Sequence, residues 1–184
     1  MTYCEFAASL NADTDNPNKH YHDCEYGFPI EDDNALFGRL ILEINQAGLS
    51  WTTILKKKSN FEKAYDGFNI SKIANYTESD RERLLADAGI IRNKLKVNAA
   101  IYNANRILEL QDEFGSFKNW LDSYLSNNKE EWVTLFKKNF KFVGGEIVNE
   151  FLMSIGMLPG AHQPSCSIYK KVLKEKPQWI LKES

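Results

Sequence analysis

Proline is scarce in this sequence and unevenly distributed. The chain has 5 prolines in 184 residues, and none occurs between Pro29 and Pro159. Because proline interrupts the interior of a helix, this long interval can be nearly continuous helix. No segment shows the strict alternation typical of a strand, and the sequence has no internal repeat. We therefore predict an all-α fold class.

Cysteines and apolar runs are also limited. The three cysteines, Cys4, Cys24 and Cys166, are odd in number and far apart. This argues against a disulfide framework and favours a reducing compartment. The first residues lack the basic and apolar segments of a signal peptide, and no apolar run is long enough to span a membrane. We expect a cytoplasmic protein without a membrane partner.

Basic residues are not in excess. The chain has 23 Lys and Arg against 25 Asp and Glu, which gives a net charge of −2. Bulk charge therefore gives no reason to expect nucleic-acid binding, and any DNA contact must come from a local basic patch. A chain of this length can form one substantial core or two small lobes.

The segment Glu43–Trp51 is the feature around which we expect the chain to be organised. Apolar residues upstream of it recur at helical spacing. Glu43 falls at the edge of their stripe, where a carboxylate would be partly removed from water. Gly48 can end this helix and Ser50 can cap the next one. The pattern predicts a carboxylate, a tight turn and the Trp51 indole close together.

Capping residues and apolar periodicity place the other helices. Asp32 or Asp33 can begin the helix that carries Glu43, and Thr77 with Asp80 resembles a capping box. Residues 1–31 show no such pattern, and we expect them to be irregular. Further predictions are a helix pair over 51–67 with a break near residues 59–60, and helices over 93–113, 117–125, 130–138, 146–155 and 168–175.

Histidine and cysteine occur near both ends of the chain. Four nitrogen and sulfur ligands suit tetrahedral Zn²⁺, and such a site would join the two terminal segments and stabilise the fold. The candidate ligands are Cys4, His22, His162 and Cys166. Spacing alone leaves the ligand set open, because His20 and Cys24 are also four residues apart and could compete.

The segment Phe142–Gly145 is typical of a turn between two helices. Several backbone N–H groups of such a turn, with the positive end of the following helix, can bind one DNA phosphate. Lys137, Lys138 and Lys141 lie beside this turn. Glu146 is unfavourable for that interpretation, because its negative charge lies where a phosphate would approach.

Several ordered motifs together resemble the bacterial 3-methyladenine DNA glycosylase I family of the helix-hairpin-helix glycosylase superfamily. The motifs are Tyr21-His22-Asp23 with Glu25 and Gly27, Glu43 through Trp51, Asp87 through Asn93 with Lys96, Phe140 through Gly144, and His162 with Cys166. The resemblance implies a helix-hairpin-helix DNA glycosylase fold in a single unit. Its two lobes would be roughly 1–50 with 135–184, and 51–134.

The resemblance also implies an activity. Members hydrolyse the N-glycosidic bond of 3-methyladenine in double-stranded DNA by base flipping, in base-excision repair, without lyase activity. It implies a structural Zn²⁺ held by Cys4, His22, His162 and Cys166, which leaves out His20 and Cys24. No lyase lysine is found in the hairpin, where Gly145 and Glu146 stand. We expect the protein to act as a monomer.

Individual residues receive roles from the same resemblance. Glu43 is implied as the catalytic residue, and the base-binding residues are Tyr21, Trp51, Phe6 and Tyr26. The DNA-binding residues are Gln46, Gly48 and Leu49, which fill the gap left by the flipped nucleotide, and Lys141, Val143, Gly144 and Gly145 of the hairpin. These types suit a purine made cationic by N3-methylation, because aromatic faces attract cations and a carboxylate stabilises an oxocarbenium-like transition state.

The sequence departs from the family pattern at several positions. Phe6 and Tyr26 replace tryptophans, Glu146 replaces a threonine, and Asn149–Met153 replaces Tyr-x-Phe-Met-Gln. These departures motivate an alternative hypothesis, a zinc-containing helix-hairpin-helix DNA-binding protein whose catalysis is lost or shifted in specificity. A helical protein with no nucleic-acid role would instead show no salt-dependent DNA binding.

Overall fold

The regular structure is helical throughout the part of the chain that the structure describes. The computed structural model describes residues 1–11 and 15–183. Its α-helices are Tyr3–Ser9 (α1), Pro17–Cys24 (α2), Asp33–Gln46 (α3), Trp51–Ala64 (α4), Ile70–Ala74 (α5), Glu78–Ala86 (α6), Lys94–Phe114 (α7), Phe117–Asp122 (α8), Lys129–Asn139 (α9), Gly145–Ser154 (α10), Tyr169–Lys174 (α11) and Gln178–Glu183 (α12). A 3-10 turn covers Asp66–Phe68. The all-α prediction is confirmed, and none of the described helices is long and apolar enough to cross a membrane.

Side-chain caps begin several helices where the sequence predicts them. Asp32 accepts a backbone N–H in the first turn of α3, and Ser50 does the same for α4. Thr77 and Asp80 form the predicted capping box of α6. Asp33, the other candidate cap of α3, instead accepts the first two backbone N–H groups of α8 at 2.8 and 3.0 Å. Its carboxylate therefore joins the starts of two helices.

The expectation that residues 1–31 are irregular is wrong. Helix α1 begins at a capping box formed by Thr2 and Glu5, and α2 begins after an Asn16 cap with Pro17 in its first turn. Both are established helix-start signals. The two helices are short and bury few apolar side chains, so neither shows the apolar stripe on which the sequence prediction relied.

The predicted break near residues 59–60 is also wrong. Helix α4 runs continuously through Ser59 and Asn60. Its apolar face continues from Ile54 to Phe61, both fully buried, so packing favours an unbroken helix. The Asn60 side chain donates to the Gly89 carbonyl at 3.2 Å and does not compete for the backbone of its own helix.

Helix α3 lies at the centre of the fold. It packs against α4, α5, α7, α8, α10 and the 3-10 turn, and 10 of its 14 residues are buried. Gly38 is needed within it, because a Cβ atom there would lie 2.5 Å from the Phe68 ring. The sequence predicted Glu43 at the edge of an apolar stripe. Because almost the whole helix is buried, Glu43 lies inside the protein instead.

A cluster of aromatic rings joins α8, α9 and α10. The centroid of Trp120 lies 5.7 Å from that of Phe136 and 5.6 Å from that of Phe140, and Phe136 lies 5.7 Å from Phe151. Such ring pairs contribute about 0.5–1.5 kcal/mol each beyond the area that they bury. The cluster holds α10 against α9 and so positions the hairpin between them.

Candidate active site and metal centre

A cavity of about 360 Å³ opens beside the C-terminal half of α3. Its lining comes from α1, α2, α3, α4 and α10 and from the loop after α2, so it lies where the two ends of the chain meet the centre of the fold. The lining is aromatic and acidic. The described residues that form it are Tyr3, Tyr21, Tyr26, Glu43, Gln46, Trp51, Glu146 and Glu150.

Glu43 is the most deeply buried acid of this cavity. It is 4% exposed, and its carboxyl group makes no hydrogen bond to another residue that the structure describes. The pKa of Glu43 is raised to about 8, chiefly by burial; the charge of Arg39 opposes the shift, and the charge of Glu150 adds a smaller increase. Most Glu43 side chains are therefore protonated at neutral pH, and an arriving cation would favour the ionised form.

Three aromatic rings form one wall of the cavity. The Tyr21 ring lies 5.0 Å from Trp51 and 5.5 Å from Tyr26 between centroids. Burial raises the pKa of both tyrosines far above the usual range, so their hydroxyl groups stay neutral. The Trp51 Nε1 is buried and has no hydrogen-bond partner in the described part of the chain. The wall therefore offers neutral aromatic surface to a flat ligand.

Arg39 fixes the Tyr21 ring from behind. Its guanidinium lies 5.0 Å from the ring centroid and donates to the Tyr21 hydroxyl at 3.3 Å. It also donates to the Ser154 carbonyl at 3.2 Å and to Glu25 at 3.3 Å. The sequence analysis missed this residue, although an arginine four positions before Glu43 within an apolar helix was a signal.

The turn after α3 stands beside the cavity. Gly48 has a φ of +82°, which permits the tight reversal before α4. Gln46 lines the cavity and its side-chain amide donates to the Leu49 carbonyl at 2.7 Å. Leu49 is 37% exposed, so an apolar side chain projects from the protein close to the cavity.

Lys96 of α7 supports this turn from inside the protein. Its Nζ donates to the carbonyl oxygens of Asn45 and Ala47, both at 2.8 Å, and the residue is 4% exposed. Burial lowers the pKa of Lys96. The sequence placed Lys96 in a motif but gave it no role; the contacts show that it satisfies the last carbonyls of α3.

The hairpin between α9 and α10 has an unexpected backbone. Its left-handed residue is Phe142, with a φ of +60°, and not one of the two glycines. Gly144 precedes α10 with an ordinary φ of −93°, and a Cβ atom there would meet nothing within 4 Å. Val143 is buried. The glycines therefore leave open space at the N-terminus of α10, where an anion can approach.

Asn103 fixes the hairpin to the long helix α7. Its side-chain amide donates to the Lys141 carbonyl at 3.1 Å, and its oxygen accepts the Lys141 N–H at 2.8 Å. The Lys141 ammonium lies 4.1 Å from the centroid of Tyr102, which is 42% exposed. The sequence analysis missed Asn103, whose signal is an amide on the buried face of a helix.

Two cysteines and two histidines from the ends of the chain converge beside α2. The Cys4 Sγ and Cys166 Sγ each lie 3.8 Å from the His162 Nδ1, and the Cys166 Sγ lies 3.7 Å from the His22 Nε2. All four ligand atoms lie within 4.8 Å of one another. Zinc–ligand bonds of about 2.0–2.3 Å in a tetrahedron give ligand separations of about 3.3–3.8 Å, so this cluster fits such an ion.

The remaining ring nitrogens of both histidines already have partners. The His22 Nδ1 lies 2.7 Å from an Asp23 carboxylate oxygen, and the His162 Nε2 lies 2.7 Å from the Tyr26 carbonyl. Such contacts fix the tautomer and orient each ring toward a metal. The competing pair is elsewhere, because the His20 side chain is 68% exposed and Cys24 is also exposed.

Comparison with known proteins identifies the family. A family model described as methyladenine glycosylase matches residues 11–134. The chain belongs to the methyladenine glycosylase family. A DNA-3-methyladenine glycosylase 1 from Escherichia coli strain K12 is 35% identical over 170 residues, which cover 81% of this chain and 89% of that protein. A DNA-3-methyladenine glycosylase from Haemophilus influenzae is 30% identical over 157 residues, covering 75% and 85%.

Solved structures of the family share the fold. A Staphylococcus aureus 3-methyladenine DNA glycosylase I, studied for its recognition of 3-methyladenine, superimposes with a TM-score of 0.79 at 32% identity. The match covers 91% of this chain and 96% of that one. A variant of such an enzyme in complex with 3-methyladenine gives a TM-score of 0.80 at 31% identity, over 91% and 97% of the chains.

The structure brings most of the predicted base-binding residues together. Tyr21, Tyr26, Glu43 and Trp51 all line the cavity. Phe6 is not among the described lining residues, and its ring centroid lies 6.2 Å from that of Tyr3, so its role in base binding stays a prediction. Tyr3 occupies the wall instead. Tyr3, Glu146 and Glu150 were not predicted as pocket residues.

Proposed function

We propose that the chain is a DNA repair enzyme that hydrolyses the N-glycosidic bond of 3-methyladenine in double-stranded DNA. The observation that carries this proposal is the buried Glu43 carboxyl group inside an aromatic cavity. A wall of aromatic rings with acidic side chains beside it suits a flat cation better than a neutral ligand. The names of the relatives from Escherichia coli and Haemophilus influenzae support the same activity.

Positive charge on the damaged base lets this cavity distinguish it from normal purines. N3-methylation makes the ring cationic, and contact with the faces of Tyr21 and Trp51 would stabilise it by roughly 0.5–2 kcal/mol each. The approaching charge favours ionisation of Glu43, which then accepts hydrogen bonds from the base. A flipped normal adenine receives neither contribution.

The same charge makes the bond easy to break. When the bond between purine N9 and sugar C1′ breaks, its electron pair neutralises the cationic ring, so the leaving group needs no added proton. The ionised Glu43 stabilises the positive charge that develops on the sugar. Water adds to C1′ and loses a proton to solvent, which yields an abasic site. No covalent enzyme intermediate is needed, in agreement with a monofunctional hydrolase.

Two surface features would bind the DNA. Gln46, Gly48 and Leu49 would fill the gap left by the flipped nucleotide, because they form a turn beside the cavity with an exposed apolar side chain. The hairpin would bind a phosphate of the same strand through its backbone N–H groups and Lys141. The hairpin residues are Lys141, Val143, Gly144 and Gly145.

The cysteine and histidine cluster would hold a structural Zn²⁺. The ligands are Cys4, His22, His162 and Cys166, and all four are protein side chains, as in a closed structural site. The ion would join the segments 1–50 and 135–184 into one lobe beside the lobe 51–134. Its contribution is to stability, because the ligand set leaves no position for a reacting group.

Release of free base from methylated duplex DNA tests the proposal. We expect the native protein to release 3-methyladenine and little 7-methylguanine. Glu43→Gln should lower the release rate by about 100-fold, as expected for removing a charge that stabilises the transition state, while duplex binding survives. Glu130→Gln, an exposed acid outside the cavity, is the matched control.

Two results would contradict parts of this proposal. Unchanged release by Glu43→Gln would show that Glu43 does not act in the reaction. No release by the native protein, combined with salt-dependent duplex binding, would favour the alternative of a DNA-binding relative without this activity.

A further inference from the structure

One departure from the family pattern contacts a second acid inside the cavity. Tyr26 stands where the family has a tryptophan, and Glu150 stands at the unspecified second position of the segment that replaces Tyr-x-Phe-Met-Gln. They are 124 residues apart in sequence, and the Tyr26 hydroxyl donates to the Glu150 Oε2 at 3.2 Å. Tryptophan could not supply this hydroxyl. The Tyr26 hydroxyl therefore orients the Glu150 carboxylate.

Glu150 adds acidic character to a wall that is otherwise aromatic. It is partly buried near the middle of α10 and lines the same cavity as Glu43. Burial raises the pKa of Glu150, whereas the hydrogen bond from Tyr26 lowers it. Glu146, one turn earlier on the same helix, is exposed but also lines the cavity. Three carboxyl groups therefore converge on one space of about 360 Å³.

Few cations offset these acids. Arg39 of α3 lowers the pKa of Glu43, and its guanidinium also donates to Glu25, a carboxylate that it shares with Lys58. Lys129 of α9 is the cation that acts on Glu150, and its effect is the weakest of those that shift the pKa of this acid. The other groups that face the carboxyl groups are neutral tyrosines, the Gln46 amide and the Trp51 indole. The cavity lining therefore has more acidic than basic groups, and an arriving cation would favour their ionised forms.

We propose that Glu150 is a specificity-determining residue: a second carboxylate of the base pocket that restricts binding to purines carrying a positive charge. This inference rests on the proposed base pocket. A cationic purine gains an additional attraction at low local dielectric, and its exocyclic amine gains a second acceptor. A neutral purine receives no charge attraction and must displace water from a carboxylate that it does not neutralise.

Binding of two small purines separates this role from a structural one. The probes are the 3,9-dimethyladeninium cation and neutral 9-methyladenine, which differ in charge and by one methyl group. Each is titrated by calorimetry into the native full-length protein and into Glu150→Gln. We expect Glu150→Gln to weaken binding of the cation by about tenfold, because one partly screened charge contact is lost, and to leave the neutral purine within about twofold.

Further variants control for folding and for the hydrogen bond. Tyr26→Phe keeps the ring but removes the hydroxyl, and we expect an intermediate loss for the cation alone. Glu150→Ala removes the same charge with a side chain that has no polar atom to satisfy, should the glutamine variant fail to fold. Glu130→Gln should bind both probes like the native protein.

The outcomes distinguish this inference from the proposed base pocket. If Glu43→Gln weakens cation binding and Glu150→Gln does not, the pocket stands and the role of Glu150 is wrong. Equal losses for cation and neutral purine in Glu150→Gln would also contradict a charge-based role. If the native protein does not bind the cation, or if Glu43→Gln has no effect, the base pocket itself is wrong.

Discussion

The cysteine and histidine cluster, proposed as the metal centre, and the cavity that we propose as the base pocket lie side by side in this fold, yet they are built in opposite ways. In the metal centre, each histidine has a partner for the ring nitrogen that faces away from the cluster. In the cavity, the Glu43 carboxyl group makes no hydrogen bond to a described residue, and the Trp51 Nε1 is buried without a hydrogen-bond partner in the described part of the chain. Buried polar groups normally have partners, so the Trp51 N–H is free to donate to a ligand in the cavity.

This difference separates a site that stabilises the protein from one that destabilises it. An ion that binds the folded chain alone adds its binding free energy to folding. A buried, unpaired acid costs stability whenever it ionises. The two sites share the segment around Tyr26, whose carbonyl contacts His162 and whose ring lines the pocket. The metal centre can therefore stabilise the aromatic wall of the pocket.

Loss of a metal ligand should give the largest effect. We expect Cys166→Ser to lower zinc content and to lower Tm by on the order of 10 °C or more, because the ion links the two ends of the chain. Metal analysis and thermal unfolding of the same sample measure both quantities. Cys24→Ser is the matched control, because Cys24 is exposed and lies outside the cluster. Full stability of a metal-free Cys166→Ser protein would refute the structural role.

Removing the buried acid Glu43 should raise stability, whereas loss of a metal ligand should lower it. Burial raises the pKa of Glu43 from 4.5 to about 8, so the folded state holds this proton more tightly than the unfolded state. Below about pH 4.5 Glu43 is protonated in both the folded and the unfolded state, and its titration costs no unfolding free energy. As the pH rises toward 8 the unfolded state loses this proton first, so the unfolding free energy of the native protein decreases. Glutamine does not titrate, so Glu43→Gln should gain up to a few kcal/mol over the native protein between pH 5 and pH 8.

Thermal unfolding of both proteins at pH 5 and pH 8 measures this gain. The metal centre also responds to pH, but equally in both proteins, so the difference between their Tm values isolates Glu43. Glu113→Gln, an exposed acid at the end of α7, should show no pH-dependent difference. A constant difference between native protein and Glu43→Gln across this range would show that Glu43 is not a buried, strained acid.

The sequence predicted one of these sites better than the other for a physical reason. Only a few residue types bind zinc, so His162 and Cys166 could be recognised as candidate ligands from the sequence. The family resemblance then selected Cys4 and His22 over His20 and Cys24. Pocket residues are ordinary tyrosines and glutamates, and only tertiary packing shows that Tyr3 lines the wall and Phe6 does not. The main helices followed from caps and periodicity, whereas α1 and α2 lacked an apolar stripe.

Supporting residues were the hardest to predict from sequence. Asn103 and Arg39 act through contacts made with distant parts of the chain, and nothing within their own helices shows those partners. Glu146 illustrates the same point, since the sequence suggested conflict with a phosphate but the structure places it in the cavity lining. Function-bearing contacts between separate helices are invisible to a local pattern.

Removing the Lys96 contacts that support the turn beside the cavity should lower stability by an intermediate amount. Lys96→Met keeps the length of the side chain but removes the ammonium group that satisfies the Asn45 and Ala47 carbonyls. Each orphaned buried acceptor costs about 1–3 kcal/mol, so we expect a loss of about 2 kcal/mol in unfolding free energy. Base release should fall more than duplex binding, because we propose that this turn fills the gap left by the flipped base. Equal stability of both proteins in urea would contradict this role.

The hairpin should show the smallest effect on stability and a specific effect on DNA binding. Lys141 is exposed and its ammonium lies over the Tyr102 ring, so Lys141→Ala should change Tm little. If the ammonium contacts one phosphate, the slope of log K against log salt for undamaged duplex should decrease by about one. Lys63→Ala, an exposed lysine in the last turn of α4, should leave the slope unchanged. An unaltered slope for Lys141→Ala would show that the phosphate is held by the backbone amides of the hairpin alone, because these remain when the side chain is removed.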